Sequence, residues 1–180
     1  MKKLLYTLLA VSIIFSACEE EDVAPANTNN NSPLAIGDTH QGGIIVYLDG
    51  NGGGLIAAPS DQSSGAEWGC SGTTIGTGSL LGTGAQNTID IELECTTPGT
   101  AADICANLTL GGYSDWFLPS KNELLQLHVL DNLDGTYHSS TERTSTPTPG
   151  TGTYGYSFPG PSLSSLLKTH IRNVRAVRAF

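Results

Sequence analysis

Two apolar runs stand early in the chain with polar residues between them. GGIIVYL, over 42–48, and GLIAAP, over 54–59, flank the glycine-rich stretch DGNGG. Apolar runs of this length around such a stretch predict a β-hairpin. The connection over 49–54 loosely resembles the sequence of a calcium-binding loop, but it lacks a third acidic ligand and a terminal glutamate. We therefore expect a plain turn there.

The middle of the chain carries two helical patterns. NTIDIELE, over 87–94, predicts a short helix that Asn87 caps. A second helix is predicted over 99–108, because four apolar residues recur there at i, i+3, i+4 and i+7, namely Ala101, Ile104, Cys105 and Leu108. This spacing places Cys105 on the buried face of the helix.

The stretch DWFLPSKNEL, over 115–124, joins the end of a strand to the start of a helix. Ser120 and Glu123 fit the capping box, in which each side chain accepts a hydrogen bond from the backbone of the other. The apolar positions that follow predict a helix to about Leu130. Before the cap, Trp116 and Leu118 alternate as the end of a half-buried strand does. Glu123 is thus explained without catalysis.

Three aromatic residues near the end of the chain have a period of two, Tyr154, Tyr156 and Phe158. This period predicts a strand with one aromatic face. A face that packs into the core is favoured, and a face that stacks on sugar rings is the alternative.

The N-terminus has the order of a secretory signal. Positive charge at Met1–Lys3 precedes an apolar run from Leu4 to Phe15 and the small residues Ser16 and Ala17. The sequence FSAC resembles a bacterial lipobox, although Phe15 departs from the usual aliphatic residue. We therefore expect a lipoprotein signal peptide over 1–17 and lipidation of Cys18, with an ordinary secretory signal as the alternative.

The residues after Cys18 bear on the cellular location of the protein. Glu19–Asp22 are similar to acidic signals that send some lipoproteins to the cell surface. In other lineages an acidic residue there retains the protein at the inner membrane, and a solvated charge run is a further alternative. Residues 18–33 are otherwise small and polar and predict a flexible tether, so the folded domain is expected over 34–180. We expect a lipid anchor in the outer membrane, at the cell surface.

The net charge of the chain disfavours one class of partner, the nucleic acids. Without Lys2 and Lys3 the chain has six basic residues against 17 acidic ones, which disfavours nucleic-acid binding. Four of those six lie in the last thirteen positions, at Lys168, Arg172, Arg175 and Arg178. They could form a small anion site, but pairing with carboxylates of the domain is favoured.

Three cysteines remain after the predicted lipidation of Cys18, and they allow three disulfide pairings. The helical pattern around Cys105 indicates a buried thiol, whereas Cys70 and Cys95 lie in glycine- and threonine-rich surroundings. We therefore predict a Cys70–Cys95 disulfide and a free Cys105. The Cys and His spacings do not suggest zinc, and we predict neither a metal nor a cofactor.

Four separated motifs resemble the Lcl C-terminal domain family, formerly a domain of unknown function. They are GYSDWFLPSKNELLQL over 112–127, YHSSTE over 137–142, TYGYSF over 153–158 and the terminal VRAVRAF. The resemblance implies an α+β, C-type-lectin-like fold with short antiparallel strands, two to three helices, long loops, and termini brought together in one sheet. His138 stands where the family usually has an aromatic residue.

The best-studied members of that family are adhesin modules that bind sulfated polysaccharides. The acidic balance of this chain does not suit a sulfated ligand, so that specificity is not carried over. The related formylglycine-generating oxidases need two late catalytic cysteines, and no cysteine follows Cys105.

Loops on a rigid scaffold commonly carry binding, and residues 137–157 are rich in Thr, Pro and Gly. The candidate ligand-binding residues are Tyr137, His138, Glu142, Arg143, Tyr154 and Tyr156. The four histidines are scattered, and the chain lacks G-x-S-x-G and H-E-x-x-H, so we expect no enzyme. The expected function is a non-catalytic surface module that binds a glycan or a surface protein. The alternative is a structural envelope component without a small ligand.

Overall fold

A computed structural model describes residues 33–144 and 148–180. The predicted signal peptide 1–17, the lipidation site Cys18 and the tether up to residue 32 lie outside the described residues. Within the described ranges, no helix is long and apolar enough to cross a membrane. The folded unit runs from Leu34 to Phe180.

The fold is α+β, as expected. The described ranges contain nine strands, three α-helices and one 3₁₀ turn. In chain order they are β1 (Thr39–His40), β2 (Gly43–Leu48), β3 (Gly54–Ala57), β4 (Ser63–Ala66), α1 (Gly84–Glu94), α2 (Ala101–Ala106), α3 (Lys121–Gln126), the 3₁₀ turn Leu127–Val129, β5 (Gly135–Glu142), β6 (Gly152–Phe158), β7 (Ser162–Leu167), β8 (Arg172–Val174) and β9 (Val177–Ala179).

The strands form two sheets. The first has the order β1-β2-β3-β9, and its pairs are antiparallel. The predicted hairpin is confirmed, because β2 pairs with β3 through partners such as Ile45 and Ile56. The second sheet has the order β4-β8-β5-β6-β7 and is mixed, since β5 and β8 run parallel. Strand β9 thus brings the end of the chain to the first hairpin.

Two apolar clusters make the core. Ile45, Trp68 and Trp116 belong to one, and Val46 and Phe117 belong to the other. Neighbouring positions of one extended segment therefore pack into different clusters, as side chains on a strand must. We expected one face of the stretch around Phe117 to be buried, but both faces are. Burial of each such side chain contributes about 1.5–3 kcal/mol to stability.

Helix α1 starts earlier than predicted. It begins at Gly84, and Thr83 stands at the N-cap without a side-chain hydrogen bond. The prediction that Asn87 caps the helix is wrong. Asn87 is buried, accepts from Gly78 N–H at 2.8 Å and donates to Ser140 Oγ at 2.9 Å. Ser140 is 53 positions away in sequence, so a local pattern could not reveal this partner.

The capping box of α3 is confirmed. The Ser120 hydroxyl accepts from Glu123 N–H at 3.3 Å, and the Glu123 carboxylate accepts from Ser120 N–H at 2.7 Å. The second Glu123 oxygen accepts from Gly82 N–H at 2.8 Å. Glu123 is buried and therefore fixes the loop before α1 as well as the start of α3. The 3₁₀ turn carries the chain close to the predicted end at Leu130.

The predicted disulfide and the predicted free Cys105 are confirmed. Cys70 and Cys95 form a disulfide with 5.5 Å between their Cα atoms, which ties the loop after β4 to the end of α1. Cys105 is free and buried on α2. Thr100 caps this helix by accepting from Asp103 N–H.

Candidate functional site

The candidate residues over 137–157 do not lie in one exposed loop. Strands β5 and β6 pair with each other inside the second sheet, with β8 and β7 on their outer sides. Residues 145–147 of the connection lie outside the described residues. Our expectation of a loop surface is therefore corrected to a central hairpin, because β8 returns from the end of the chain to cover β5.

Tyr137 is buried, and its hydroxyl joins a polar network that includes the exposed Asp61. Its hydroxyl donates to Asp61 at 3.0 Å, and the other Asp61 oxygen accepts from Arg175 Nε at 2.7 Å. Arg175 also donates to Ala58 O at 2.9 Å. Burial raises the pKa of Tyr137, and the hydrogen bond to Asp61 adds to this. The arrangement is typical of a structural tie between β5, β8 and the loop after β3.

His138 is fully buried on the same strand. Its Nε2 lies 3.1 Å from Ala66 O and 3.0 Å from His170 O, so Nε2 carries the hydrogen. Nδ1 is buried without a hydrogen-bond partner among the described residues. Burial lowers the pKa of His138 to about 4, against smaller opposing effects of the two carbonyls. A neutral imidazole in this position ties strands together and does not face a ligand.

Glu142 forms a buried ion pair with Lys168, at 2.5 Å between Oε1 and Nζ. Its second oxygen accepts from the backbone N–H groups of Ile75 and Gly76, at 2.9 and 2.6 Å. Lys168 also donates to Thr73 O at 2.6 Å. The pair thus holds the loop after Cys70 onto the end of β5. Burial lowers the pKa of Lys168, and Glu142 opposes that shift.

The remaining three candidates have different surroundings. Tyr156 is buried in the second apolar cluster, which agrees with the expected core-facing aromatic strand. Tyr154 is half-buried, with Lys121 Nζ 5.1 Å from its ring centre. Arg143 borders a small depression of about 70 Å³ beside Glu142. The six candidates therefore do not converge on a common concave surface.

Most of the four C-terminal basic residues pair with carboxylates of the domain, as the sequence analysis favoured. Lys168 binds Glu142, Arg175 binds Asp61, and Arg178 binds Asp115. The hydrogen bond from Arg178 lowers the pKa of Asp115. Arg172 donates to the neighbouring Ile171 O. Three of the four charges are thus compensated, and the four do not converge on an anion site.

The glycine-rich connection at 49–54 is a turn organised by its own aspartate. Asp49 Oδ1 accepts from Asn51 N–H at 2.7 Å and from Gly53 N–H at 3.0 Å. Across residues 33–144 and 148–180, no group of three or more His, Cys, Asp or Glu side chains could hold a metal ion.

A wide groove lies beside α1, and none of the six predicted candidates lines it. This groove has a volume of about 520 Å³. Helix α1 forms one wall and the stretch 114–117 forms the other. Ile89 and Leu93 are 53% and 75% exposed at this wall. We call this surface the α1 groove, and its lining residues are Ala85, Thr88, Ile89, Glu92, Leu93, Ala106, Ser114, Asp115, Trp116 and Phe117.

The exposed apolar stripe of the α1 groove follows from helix geometry. Ala85, Ile89 and Leu93 recur every four residues and share one face of α1, whereas Ile91 packs into the core. Helix α1 is thus apolar on two sides. The sequence contains this signal, because Ile89, Ile91 and Leu93 alternate in NTIDIELE and so fall on two sides of a helix.

Two acidic residues, Glu92 and Asp115, lie in the otherwise largely apolar lining. Glu92 is half-buried, and its Oε1 is fully buried without a hydrogen-bond partner among the described residues. Burial raises the pKa of Glu92, and the nearby Asp103 carboxylate raises it further. A carboxylate held in this way would be stabilised by an incoming cation.

A scan of the chain against models of known protein families gives no match, and a search of curated proteins gives none either.

Proposed function

We propose that this protein is a non-catalytic, lipid-anchored module of the bacterial outer membrane that binds a protein partner at the cell surface. The α1 groove is the binding surface. The anchor is inferred from the lipobox-like sequence that ends at Cys18. The Lcl C-terminal domain family and its C-type-lectin-like fold are part of the same proposal, supported by the four motifs and by an α+β fold whose first and last strands share a sheet.

The observation that carries the proposal is the exposure of large apolar side chains in a concave surface. Ile89 and Leu93 stand more than half exposed beside Trp116 and Phe117. Exposed apolar surface that lines a groove is typical of a binding site, because leaving it in water is unfavourable. An aromatic and aliphatic lining suits the apolar side chains of a peptide segment.

The partner is a segment that carries apolar side chains next to a basic residue. Glu92 supplies a half-buried carboxylate in the groove, and its Oε1 has no partner in the described part of the chain. Asp115 adds a second carboxylate at the rim, although Arg178 partly compensates it. A lysine or arginine of the partner would meet this acidic side, while its neighbouring apolar residues fill the groove.

Direct glycan binding by the six candidate residues has less support. Tyr137, His138, Glu142 and Tyr156 are buried, and their polar atoms are mostly engaged within the domain. A sugar ring needs an exposed aromatic face for stacking. Only Tyr154 and Arg143 of the six are even half-exposed, and they do not share a cavity in the described residues.

The test uses the full chain in phosphatidylcholine vesicles and two fluorescent amphipathic peptides, one of leucine and lysine and one of leucine and glutamate. We expect the leucine–lysine peptide to bind more tightly. Leu93→Asp should weaken that binding about tenfold or more, because burial of one leucine contributes about 1.5–3 kcal/mol. Ile171→Asp is the matched control, since Ile171 is 52% exposed outside the groove.

Equal binding of the peptide to both variants would overturn the groove as the site. Binding of the chain to a glycan array, unchanged by Leu93→Asp, would instead favour a lectin. If the protein bound neither the peptides nor the glycan array, the structural envelope component would be favoured.

A further inference from the structure

Strand β7 is an unprotected edge of the second sheet. It pairs with β6 over six residue pairs without a bulge. Among the described strands, none pairs with its other side. The segment 159–167 carries no charged residue. Natural proteins commonly protect such an edge with lysine, a bulge or an inward-pointing charge, and β7 has none of these within the strand.

The hydrogen-bond pattern shows which backbone groups point outward. Lys168 N–H donates to Thr151 O at 2.9 Å, which continues the β6–β7 ladder by one pair. Hydrogen-bonded pairs alternate along an antiparallel ladder, so the even-numbered residues of β7 bond to β6. The N–H and C=O groups of Leu163 and Ser165 therefore point away from the sheet.

The same edge exposes apolar side chains. Leu163 and Leu167 are 50% and 44% exposed. They share one face of β7 with Ser165, because side chains alternate along a strand. The edge thus offers free hydrogen-bonding groups and an apolar stripe without charge.

We propose that β7 pairs antiparallel with β7 of a second copy of this chain, around a two-fold axis at Ser164. Leu163 then lies opposite Ser165 of the other copy, and the two outward-facing residues exchange both of their hydrogen bonds. The symmetry repeats this pair, so the contact is self-complementary. Leu163 lies diagonally across from Leu163 and Leu167 of the second copy, within reach of apolar contact.

Charge favours this strand as the contact between copies. Residues 33–180 carry 13 acidic and six basic residues, so two copies repel one another over most of their surfaces. A contact between identical acidic domains is favoured where neither side presents a carboxylate. The uncharged segment 159–167 meets that condition. This inference is independent of the α1 groove.

A cysteine at the proposed axis tests the contact in the full chain on intact cells. The Cα atoms of a non-hydrogen-bonded antiparallel pair lie about 4.5 Å apart, which is within the range of a disulfide. Ser164→Cys should therefore give a covalent dimer under mild oxidation. Ser162→Cys is the matched control, because its two copies would lie about 14 Å apart along the strand. The unsubstituted chain shows the background of cross-linking, and its Cys105 is buried.

Ser165→Pro removes an outward N–H, which an edge strand tolerates, and should weaken the pairing about tenfold. Its melting temperature reports whether the fold is kept. The proposal is supported if Ser164→Cys cross-links more than Ser162→Cys does, and if adding Ser165→Pro to Ser164→Cys reduces that cross-linking. Equal cross-linking of both variants, or a Ser164→Cys monomer whose introduced thiol still reacts with maleimide, overturns it. A cross-link to a product of different mass would assign the edge to another protein and also overturn self-pairing.

Discussion

Replacing His138 tests how burial of a neutral imidazole links stability to pH. Its Nε2 hydrogen is shared between Ala66 O and His170 O, while Nδ1 faces no acceptor in the described structure. Protonation of Nδ1 would therefore bury a charge and an unpaired donor. His138→Gln keeps an amide nitrogen near the Nε2 position but cannot take up a proton.

The magnitude follows from the two pKa values of the imidazole. Burial lowers the pKa of His138 to about 4 in the folded state, against about 6.5 in an unfolded chain. The unfolded state therefore binds the proton first as the pH falls. Stability is lost between about pH 6.5 and about pH 4 and levels off below that range. Between about pH 7 and about pH 4.5, His138 alone should cost about 2 kcal/mol of the free energy of unfolding.

Urea unfolding of the wild type and of His138→Gln at several pH values in this range provides the measurement. We expect the stability difference between the two proteins to change by about 2 kcal/mol across the range. Carboxylates such as Asp115 titrate in both proteins, so their contribution cancels. His128→Gln is the matched control, because His128 is exposed. If the free energy of unfolding of His138→Gln fell in parallel with that of the wild type as the pH was lowered, the assigned role of His138 would be refuted.

Three further predictions concern the buried pair, a glycine and the anchor. Glu142→Gln should reduce the free energy of unfolding by about 3–5 kcal/mol, because it leaves buried Lys168 unpaired. Adding Lys168→Met should restore part of that loss in urea unfolding, and a purely additive double variant would contradict the coupling. Gly84→Ala should cost about 1–3 kcal/mol by the same measurement, because a Cβ would lie 2.2 Å from Glu123 Oε2; unchanged stability would contradict this packing. Cys18→Ala should move the protein from the detergent phase to the aqueous phase in phase partitioning, and retention in the detergent phase would contradict the lipid anchor.

The confirmed hairpin, capping box and buried Cys105 depend on residues close together in sequence, whereas the confirmed disulfide joins residues 25 positions apart. The hairpin follows from two apolar runs around one turn, and the Ser120–Glu123 capping box spans a single helical turn. The burial of Cys105 follows from spacing along one short helix. In those three cases the determining contacts lie within a few positions, so the local pattern contained them.

The predictions that failed depend on contacts between distant segments. Asn87 has the right residue type for a cap, but Ser140, far along the chain, binds its side chain. The stretch around Glu142 has the composition of a loop, yet Lys168 and the backbone at Ile75 and Gly76 enclose that carboxylate. No local periodicity encodes such partners, since they come from segments that are far apart in the sequence.

The same long-range pairing determines where a partner can bind. Lys168, Arg175 and Arg178 pair with carboxylates of the domain, so three of its six basic residues are engaged within the domain. The surface is left acidic, and Glu92 keeps an oxygen without a partner among the described residues. A partner of the α1 groove should therefore bring its own positive charge as well as apolar side chains. For the same reason, raising the salt concentration should weaken binding of the leucine–lysine peptide to the α1 groove. It should weaken the contact between copies at the uncharged β7 edge less.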